Sequence, residues 1–341
     1  MGKTTTKEVV AAILSSRHNT LKTEANLNTE IGVPLTLLQL TPEHRRAVLE
    51  LGMYVPGDIR LLAHIAQPEI GIVTNVSPVH MERAGSIGRI AAGKAELVEA
   101  LPPGGLAVLN GDDPRTAAMA RRTRARTVLF GLSAQCAIRA TDIESHGLSG
   151  FSFTLQTPSD VSRINCPIPG KHHVYAVLAA TAVALDDSMT PAEIVKALAD
   201  VRIDIRLTQR PGPRGSTIIN DSYNASPASM ITALDLLSEN SARKIAVLGH
   251  MRELGAAERD GHEAVGRYCV GRCDLLVVVG EDAGPLEDAA ISHGHKAVRR
   301  FATPDDAASY LQDELREGDV CLVKASRAVG LETLVEALVS K

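Results

Sequence analysis

Tryptophan is absent from this chain, and aromatic residues make up only 3% of it. Platforms on which nucleic-acid bases stack are therefore few. Basic residues are not in excess either, since 36 lysines and arginines stand against 40 aspartates and glutamates, for a formal net charge of −4. A chain without a basic excess lacks the electrostatic footprint of a phosphate-backbone binder, so we expect no nucleic-acid partner.

Long apolar runs are also missing, since none approaches the ~20 residues of a membrane-spanning helix. The first residues show no signal-peptide architecture. Cysteine is scarce and odd in number, and the closest pair, Cys269 and Cys273, has a C-x3-C spacing that matches neither a zinc knuckle nor a redox C-x-x-C motif. Buried, reduced thiols fit this usage, so we expect a cytoplasmic protein without membrane insertion.

The length and the composition indicate two globular domains. At ~150 residues per domain, 341 residues make about two, and 22% charged with 45% hydrophobic residues excludes extensive disorder. Short β-branched runs alternate with helical stretches, which predicts an α/β fold with mostly parallel sheets. We place the boundary at Ile203, which gives a first domain of residues 1–203 and a smaller, Rossmann-like second domain of residues 204–341.

The predicted strands and helices follow this division. Strand-like runs cover residues 47–51, 69–75, 106–109 and 127–130, and then 216–220, 244–248, 274–279 and 319–323. Helical patterns cover 87–101 and 175–185, alternation within 136–169 predicts antiparallel hairpins, and a Pro/Gly/Arg-rich segment at 210–215 precedes the second series.

The chain opens with Gly2-Lys3-Thr4, which is the second half of a phosphate-binding P-loop. In such a loop the amides at the helix start hold phosphates, the lysine neutralises β and γ oxygens, and the threonine hydroxyl ligates Mg²⁺. The glycine and the strand of the first half are missing. The tripeptide alone also fits an ordinary solvated terminus.

Lys94 lies on the apolar stripe of its predicted helix, because its neighbours three and four residues away are Ile90, Ala91, Leu97 and Val98. Burial would lower the pKa of the amine and make it available for carbamylation by CO₂, which creates a carboxylate-like metal ligand. The alternative is a packed stem with the ammonium in water.

Two further candidates lie at predicted strand ends. Glu50 is the single charge in the run 47–51, and a buried carboxylate is costly unless it is paired or metal-bound. His80 follows another strand, where it also fits a simple loop histidine. Together with Thr4 and Lys94 they make a plausible Mg-ATP centre built from separate elements.

Several separated segments resemble the Mur ligase family, and most closely the branch that adds D-alanyl-D-alanine to UDP-N-acetylmuramoyl-tripeptide in peptidoglycan biosynthesis. The matching segments, which run from the first residue to near the last, are Gly2–Glu8, Asn26–Leu38, Glu50–Gly52, Gly93–Glu96, Asn220–Met230, Leu248–Gly255 and Val323–Glu332. Within them the string Asp-Ser-Tyr-Asn-Ala-Ser-Pro from Asp221 is the most diagnostic of the branch.

The resemblance implies a central P-loop-type ATPase domain followed by a C-terminal domain that binds the amine substrate. The family's N-terminal domain, which binds the UDP-sugar, is not in this sequence, so we expect a truncated chain. It also implies a monomer that makes an amide bond: a carboxylate of the tripeptide attacks the γ-phosphate of ATP, and the amine of D-alanyl-D-alanine then displaces phosphate from the acyl phosphate.

The resemblance assigns roles to particular residues. Lys3, Lys94, His80 and Arg206 would be catalytic, and Thr4, Glu50, His80 and carbamylated Lys94 would hold Mg²⁺. The nucleotide would contact Gly2, Lys3, Thr4, Thr5, His172, His173, Asp221, Tyr223 and Asn224, and the substrates would contact Asn26, Asn28, Ser326 and Arg327.

Some of these residues also fit plainer roles. Arg206 fits a linker charge, Asp221 to Asn224 fit a turn before a helix cap, and Ser326 with Arg327 fit a solvated loop. The chain also departs from the family, because His173 and Ala176 replace two adenine-site asparagines and His250 replaces an aspartate. A second hypothesis is therefore a degenerate Mur-like scaffold that binds nucleotide or a partner without turnover. A third is an amide ligase of the same superfamily acting on another acid and amine.

Overall fold

The computed structural model describes residues 2–77, 85–201, 203 and 207–339, which form two compact units divided between residues 205 and 206. The predicted boundary lies two residues earlier. The first unit contains, in chain order, α1 (Lys3–Ser15), β1 (Thr20–Lys22), α2 (Gly32–Leu37), β2 (Arg46–Val48), α3 (Asp58–Ala66), β3 (Ile70–Val73), α4 (Ile87–Glu99), β4 (Leu106–Asn110), α5 (Pro114–Ala117), β5 (Arg126–Gly131), β6 (Ile138–Ser145), β7 (Phe151–Gln156), β8 (Val161–Cys166), α6 (Val174–Asp186) and α7 (Pro191–Ala199).

The main sheet of the first unit has the order β3-β4-β5-β6-β7-β8. Strands β3 to β6 are parallel, and β6, β7 and β8 form the antiparallel hairpins predicted for residues 136–169. Every residue of β4 is buried, as expected for a parallel strand covered on both faces. Helix α4 packs Ile90 and Val98 into the same core cluster as Leu109 of β4.

Strands β1 and β2 form a separate two-stranded parallel sheet. The sequence predicts a strand over residues 47–51, but β2 covers only Arg46–Val48 and its Ala47 is exposed. Glu50 therefore lies two residues beyond the strand rather than inside it, and it is buried there. Strand β1 was not predicted, because its three residues carry no distinct pattern.

The second unit contains β9 (Thr208–Pro211), β10 (Thr217–Asn220), α8 (Pro227–Ser238), β11 (Lys244–Gly249), α9 (Glu258–Cys269), β12 (Leu275–Val279), α10 (Gly284–Ser292), β13 (Val298–Phe301), α11 (Pro304–Glu314), β14 (Val320–Lys324) and α12 (Leu331–Val339). Its sheet order is β13-β12-β11-β14-β10-β9. Only the edge strand β9 is antiparallel, and it includes part of the Pro/Gly-rich segment that was interpreted as irregular. The predicted α/β class with two mostly parallel sheets is confirmed.

All five cysteines are buried and none forms a disulfide. In the part of the chain that is described, no helix combines the length and the apolar character needed to cross a bilayer.

Candidate active site

One cavity of the first unit brings together three of the predicted site residues. It has a volume of about 940 Å³, and Lys3, Glu50 and Lys94 all line it. These residues come from the start of α1, the loop after β2 and the middle of α4, so three separate elements contribute to one cavity. The part of the cavity that holds Lys3, Glu50 and Lys94 is the candidate active site, because α/β sheets bind ligands beyond the carboxyl ends of their strands.

Lys94 reaches this cavity from the buried face of α4. Its Nζ donates to the carbonyl of Asn75 at 2.5 Å, just after β3. Burial, and then the nearby ammonium of Lys3, lower the pKa of Lys94 to about 8, while Asp113 opposes that shift. A pKa near 8 leaves roughly 300 times more neutral amine at neutral pH than the usual value of 10.5. The amine is therefore suited to react with CO₂, although the carbamate stays a prediction.

Glu50 is held in place by the loop that carries the predicted substrate residues. The Nδ2 of Asn28 donates to Oε1 of Glu50 at 2.9 Å, and the amide of Glu50 donates to Oγ1 of Thr23 at 3.0 Å. A side chain at Gly52 would collide with Asn28, which explains glycine there. The second carboxylate oxygen, Oε2, is buried without a hydrogen-bond partner. Such an oxygen is costly, and a hard cation such as Mg²⁺ prefers oxygen ligands.

The start of α1 has the geometry of a phosphate-binding turn. Gly2 caps the helix with a φ of 82°, a left-handed conformation that favours glycine. Lys3, Thr4 and Thr5 form the first helical turn, where amides and the helix dipole attract anions. Lys3 is exposed, whereas Thr4 and Thr5 are half-buried and do not line the cavity.

His172 and His173 lie just before α6, with ring centroids 3.9 Å apart. Gly170 precedes them with a φ of 93°, and a Cβ there would approach the His172 ring to 2.6 Å. Burial, followed by the neighbouring His172, lowers the pKa of His173 well below its ordinary value. The His173 imidazole is therefore expected to be neutral at neutral pH.

In the second unit, the predicted nucleotide residues follow β10 and are tied to β14. Lys324 is 2% exposed; its Nζ pairs with Asp221 at 2.7 Å and donates to the carbonyl of Asn224 at 2.8 Å. Ser226 then caps α8 through a capping box with Ser229. Lys324 was not singled out from the sequence, although a lysine inside a fully buried strand is a signal.

The predicted carboxylate-binding pair follows β14. Ser326 is buried, and its Oγ accepts a hydrogen bond from the amide of Arg252 at 2.9 Å. The exposed Arg327 guanidinium lies 5.3 Å from the centre of the Tyr223 ring. His250 bonds Glu258 through Nε2 at 3.0 Å and stacks on His262, while its Nδ1 is buried without a partner. The carboxyl end of this sheet therefore carries Ser326, Arg327 and Tyr223, which the sequence analysis assigned to ligands, and also His250.

Two predicted catalytic residues, His80 and Arg206, lie outside the described residues. Asn26 is exposed in the loop before α2 and accepts from the amide of Asn28. No group of three or more histidine, cysteine or acidic side chains suited to a metal occurs in the described ranges.

The sequence analysis missed Asp113, which lies at the start of α5 and acts on the pKa of Lys94. The signal in the sequence is a pair of aspartates shortly after β4.

A second unpredicted cluster lies at the opposite end of the second unit's sheet. The Sγ of Cys273 is 3.3 Å from Nε2 of His295. A hydrogen bond with Cys269, and then His295, lower the pKa of Cys273 to about 6 against the effect of burial. The C-x3-C spacing therefore contains a buried thiol with a lowered pKa and an imidazole partner.

Comparison with known proteins identifies the family of both units. The Mur ligase middle domain matches residues 1–184, and the Mur ligase glutamate ligase domain matches residues 205–327. The UDP-N-acetylmuramoyl-tripeptide–D-alanyl-D-alanine ligase of Mycobacterium tuberculosis is 36% identical over 99% of this chain and 71% of its own length. The enzyme of the same name from Escherichia coli is 35% identical over 99% of this chain and 75% of its own length.

Solved structures give the same result. MurF from Acinetobacter baumannii superposes with a TM-score of 0.89 at 32% identity, over all of this chain and 75% of its own. MurF ligase from Thermotoga maritima in complex with ADP superposes with a TM-score of 0.86 at 28% identity, over 98% of this chain and 77% of its own. This chain therefore belongs to the Mur ligase family.

Proposed function

We propose that this chain catalyses the ATP-dependent addition of D-alanyl-D-alanine to UDP-N-acetylmuramoyl-tripeptide. The observation that carries the proposal is the single cavity lined by Lys3, Glu50 and Lys94 at the start of a P-loop-type helix. Its relatives named for this reaction span the chain almost completely. The enzyme joins a carboxylate to an amine through an acyl phosphate.

The residues of the first unit act on the phosphates. Lys3 and the first turn of α1 hold the β- and γ-phosphates, which lowers the charge that a nucleophilic carboxylate meets. Glu50, with its unpartnered oxygen, Thr4, His80 and carbamylated Lys94 would hold Mg²⁺. When bound, Mg²⁺ neutralises charge on the phosphate oxygens. Arg206 would add positive charge at the γ-phosphate, and Asn28 keeps the Glu50 carboxylate oriented.

The other residues bind and orient substrates. His172 and His173 offer ring faces and a neutral nitrogen to the adenine in place of the family's asparagine. Asp221, Tyr223 and Asn224 would contact the nucleotide. Ser326 and Arg327 would bind the carboxylate of D-alanyl-D-alanine, for which a guanidinium is the best-matched donor. Asn26 and Asn28 would face the tripeptide substrate.

The test is phosphate release from ATP, measured with each substrate omitted in turn. We expect release only when UDP-N-acetylmuramoyl-tripeptide and D-alanyl-D-alanine are both present. Lys3→Ala should reduce the rate at least ~100-fold, because it removes a charge aimed at the transferred phosphoryl group. Lys196→Ala, which changes an exposed lysine on α7, is the matched control. ATP turnover that ignores both substrates would contradict the proposal.

A degenerate scaffold without turnover is not favoured. It would have no reason to keep a buried carboxylate with an unpartnered oxygen and a half-buried lysine with a lowered pKa in one cavity, because both features cost folding free energy. The measurement above also separates it from the ligase, because a scaffold would bind ATP and release no phosphate.

A further inference from the structure

Cys269, Cys273 and His295 form a cluster at the amino edge of the second unit's sheet, opposite the edge that carries the predicted ligand-binding residues. Cys269 ends α9, Cys273 lies just before β12, and His295 lies between α10 and β13. The parallel strands β12 and β13 are neighbours, so the segments that lead into them lie side by side. The proposed ligase reaction uses none of these three residues.

The segment between the two cysteines is a tight turn. Val270 is extended, with φ −61° and ψ 122°, and Gly271 follows with φ 75°, a combination typical of a type II turn. The carbonyl of Cys269 accepts hydrogen bonds from the amide of Arg272 at 3.0 Å and from the amide of Cys273 at 3.4 Å. A turn closed in this way places the Cα atoms of its first and fifth residues about 6 Å apart, within the range of about 4.4–6.8 Å that disulfides span.

The two sulfur atoms also contact each other. Sγ of Cys273 lies 3.8 Å from the backbone oxygen of Cys269, and the thiol of Cys269 donates a hydrogen bond to the Cys273 sulfur. This hydrogen bond, and then burial, raise the pKa of Cys269 well above its ordinary value, while the same bond lowers the pKa of Cys273. The pair therefore favours a nucleophilic thiolate at Cys273 and a neutral thiol at Cys269 beside it.

His295 can supply a proton to this thiolate. Its Nε2 lies 3.3 Å from Sγ of Cys273 and 3.1 Å from the carbonyl oxygen of the same residue, and both atoms are acceptors, so Nε2 is the donor. The contact with Cys273 raises the pKa of His295 against the effect of burial, which favours the imidazolium. Its Nδ1 is buried and has no hydrogen-bond partner among the described residues. Such a nitrogen is costly, and buried groups of this kind often have a redox or catalytic role.

The cluster lies just beneath the protein surface. The residues on both sides of His295 are exposed, and so is Asp274, which follows Cys273. Cys273 itself is 6% exposed, which admits a small reagent but not a bulky one. Cys269 is completely buried, so an oxidant from the solvent meets Cys273 first.

We propose that Cys273 and Cys269 form a redox-modification site, in which a small hydroperoxide oxidises Cys273 and Cys269 then closes a reversible disulfide with it. The Cys273 thiolate attacks one oxygen of the hydroperoxide, the O–O bond breaks, and the departing oxygen takes the proton of the His295 imidazolium. Cys273 becomes a sulfenic acid, and the peroxide is reduced by two electrons. The Cys269 sulfur then attacks the Cys273 sulfur, the S–O bond breaks, and the thiol proton leaves with the hydroxide as water. This inference does not depend on the ligase activity.

Peptide mass spectrometry of the reduced, folded chain after treatment with equimolar hydrogen peroxide at neutral pH tests the proposal. Trypsin cuts between the two cysteines, after Arg272, so they fall in separate peptides, 268–272 and 273–296. We expect peroxide to join these two peptides, dithiothreitol to separate them, and a non-reducing gel to show no covalent dimer. If the joined peptides are absent, or occur only in a covalent dimer, the proposal is overturned.

Cys136 is a matched control within the same chain. It is 7% exposed, almost as Cys273 is, but its Sγ lies 4.0 Å from a carboxylate oxygen of Asp112 instead of beside an imidazole. Burial, followed by Asp112, raises the pKa of Cys136. Because oxidation follows the thiolate population when exposure is equal, we expect Cys273 to react at least ~10-fold faster than Cys136. Equal rates would overturn the proposal.

Variants separate the roles of the two partners, with circular dichroism to confirm that each variant is folded. In Cys269→Ser the sulfenic acid has no thiol to react with, so Cys273 should form a dimedone adduct or a sulfinic acid. His295→Asn should slow the oxidation of Cys273 at least ~fivefold. His293→Asn, which changes an exposed histidine of the same loop, should stay within about twofold of the original rate. Neither product in folded Cys269→Ser, or an unchanged rate in folded His295→Asn, would overturn the proposal.

Discussion

At the scale of one residue, the buried carboxylate of Glu50 lowers the folding stability of the chain and supplies a charged oxygen to the candidate site. Its carboxylate is 6% exposed, one oxygen is bonded by Asn28, and the other has no partner. An unpaired buried acceptor costs roughly 1–3 kcal/mol of folding free energy. Residues of this kind persist where the charge is needed, as it is for a cation beside phosphates.

The first prediction is that Glu50→Gln stabilises the chain while it inactivates the ligase. Glutamine keeps an oxygen for Asn28 and removes the buried charge, so the free energy of unfolding should rise by about 1 kcal/mol in urea titrations. The ligation rate should fall about 100-fold, since an oxygen donor for the cation is weakened. Glu24→Gln changes an exposed residue of the loop that carries Asn28 and should alter neither quantity. A destabilised Glu50→Gln would contradict this account.

Lys94 carries the second prediction. We expect Lys94→Ala to abolish ligation, and added bicarbonate not to restore it, because no amine remains to form a carbamate. A short carboxylic acid, diffusing into the space of the missing side chain, should restore part of the rate. Initial rates of phosphate release measure both effects, with Lys196→Ala as the control. An unchanged rate in Lys94→Ala would remove the case for the carbamate.

The third prediction concerns the pH dependence of a thiol. Because the pKa of Cys273 is lowered to about 6, its thiolate should already predominate at neutral pH, and alkylation by iodoacetamide should reach its plateau by about pH 7. Mass spectrometry of peptides follows the site. Cys166 and Cys321 are internal controls, since burial raises the pKa of each to about 12.

His295→Asn should move the alkylation midpoint of Cys273 upwards, because the imidazole that lowers its pKa is gone. Cys269→Ser tests the hydrogen bond that is the larger cause of the shift. A midpoint at or above pH 9 in the unchanged chain would show that His295 and Cys269 do not lower the pKa of this thiol.

At the scale of elements, Lys324 connects the end of β14 to the loop between β10 and α8. Removing one partner of a buried ion pair is strongly destabilising, so Lys324→Met should lower the free energy of unfolding by about 3 kcal/mol. Adding Asp221→Asn should recover part of that loss. The half-exposed pair of Lys244 with Asp274 is the matched control, and Lys244→Met should cost less than about 1 kcal/mol. Equal losses in the two lysine variants would contradict the buried-pair interpretation.

Elements with a strong local pattern could be predicted from the sequence, and contacts between distant elements could not. The periodicity around Lys94 placed it on the buried face of α4, and the strand runs located β4, β11, β12 and β14. The three-residue β1 and the edge strand β9 were missed, because short strands and prolines carry little pattern. Cys273 and His295 are 22 residues apart and meet only because β12 and β13 are neighbours in the sheet.

The same limit applies to the site. Local motifs predicted the helix start at Lys3 and a position for Glu50 at a strand end, although β2 ends two residues before Glu50. The rule for α/β sheets predicted that such residues lie close together. The short tie from Lys94 to Asn75, the influence of Asp113 and the role of Lys324 depend on how loops pack, which no local periodicity reports.

At the scale of the whole molecule, the two units differ in the number of sheets among which their strands are divided. The second unit has one continuous six-stranded sheet, and its core cluster draws on β10, β11, β12 and β14 together. The described strands of the first unit are divided between a two-stranded and a six-stranded sheet. A two-stranded sheet is marginal by itself and depends on the helices that pack against it.

We therefore expect two unfolding transitions in urea, with the first unit unfolding at the lower concentration. Amide exchange by mass spectrometry should show protection lost first in residues 20–22, 46–48 and 70–73, while β11 and β14 remain protected. Limited proteolysis should likewise protect the residues after about 203. A single cooperative transition would show that the division of the first unit's strands between two sheets does not control the stability of this chain.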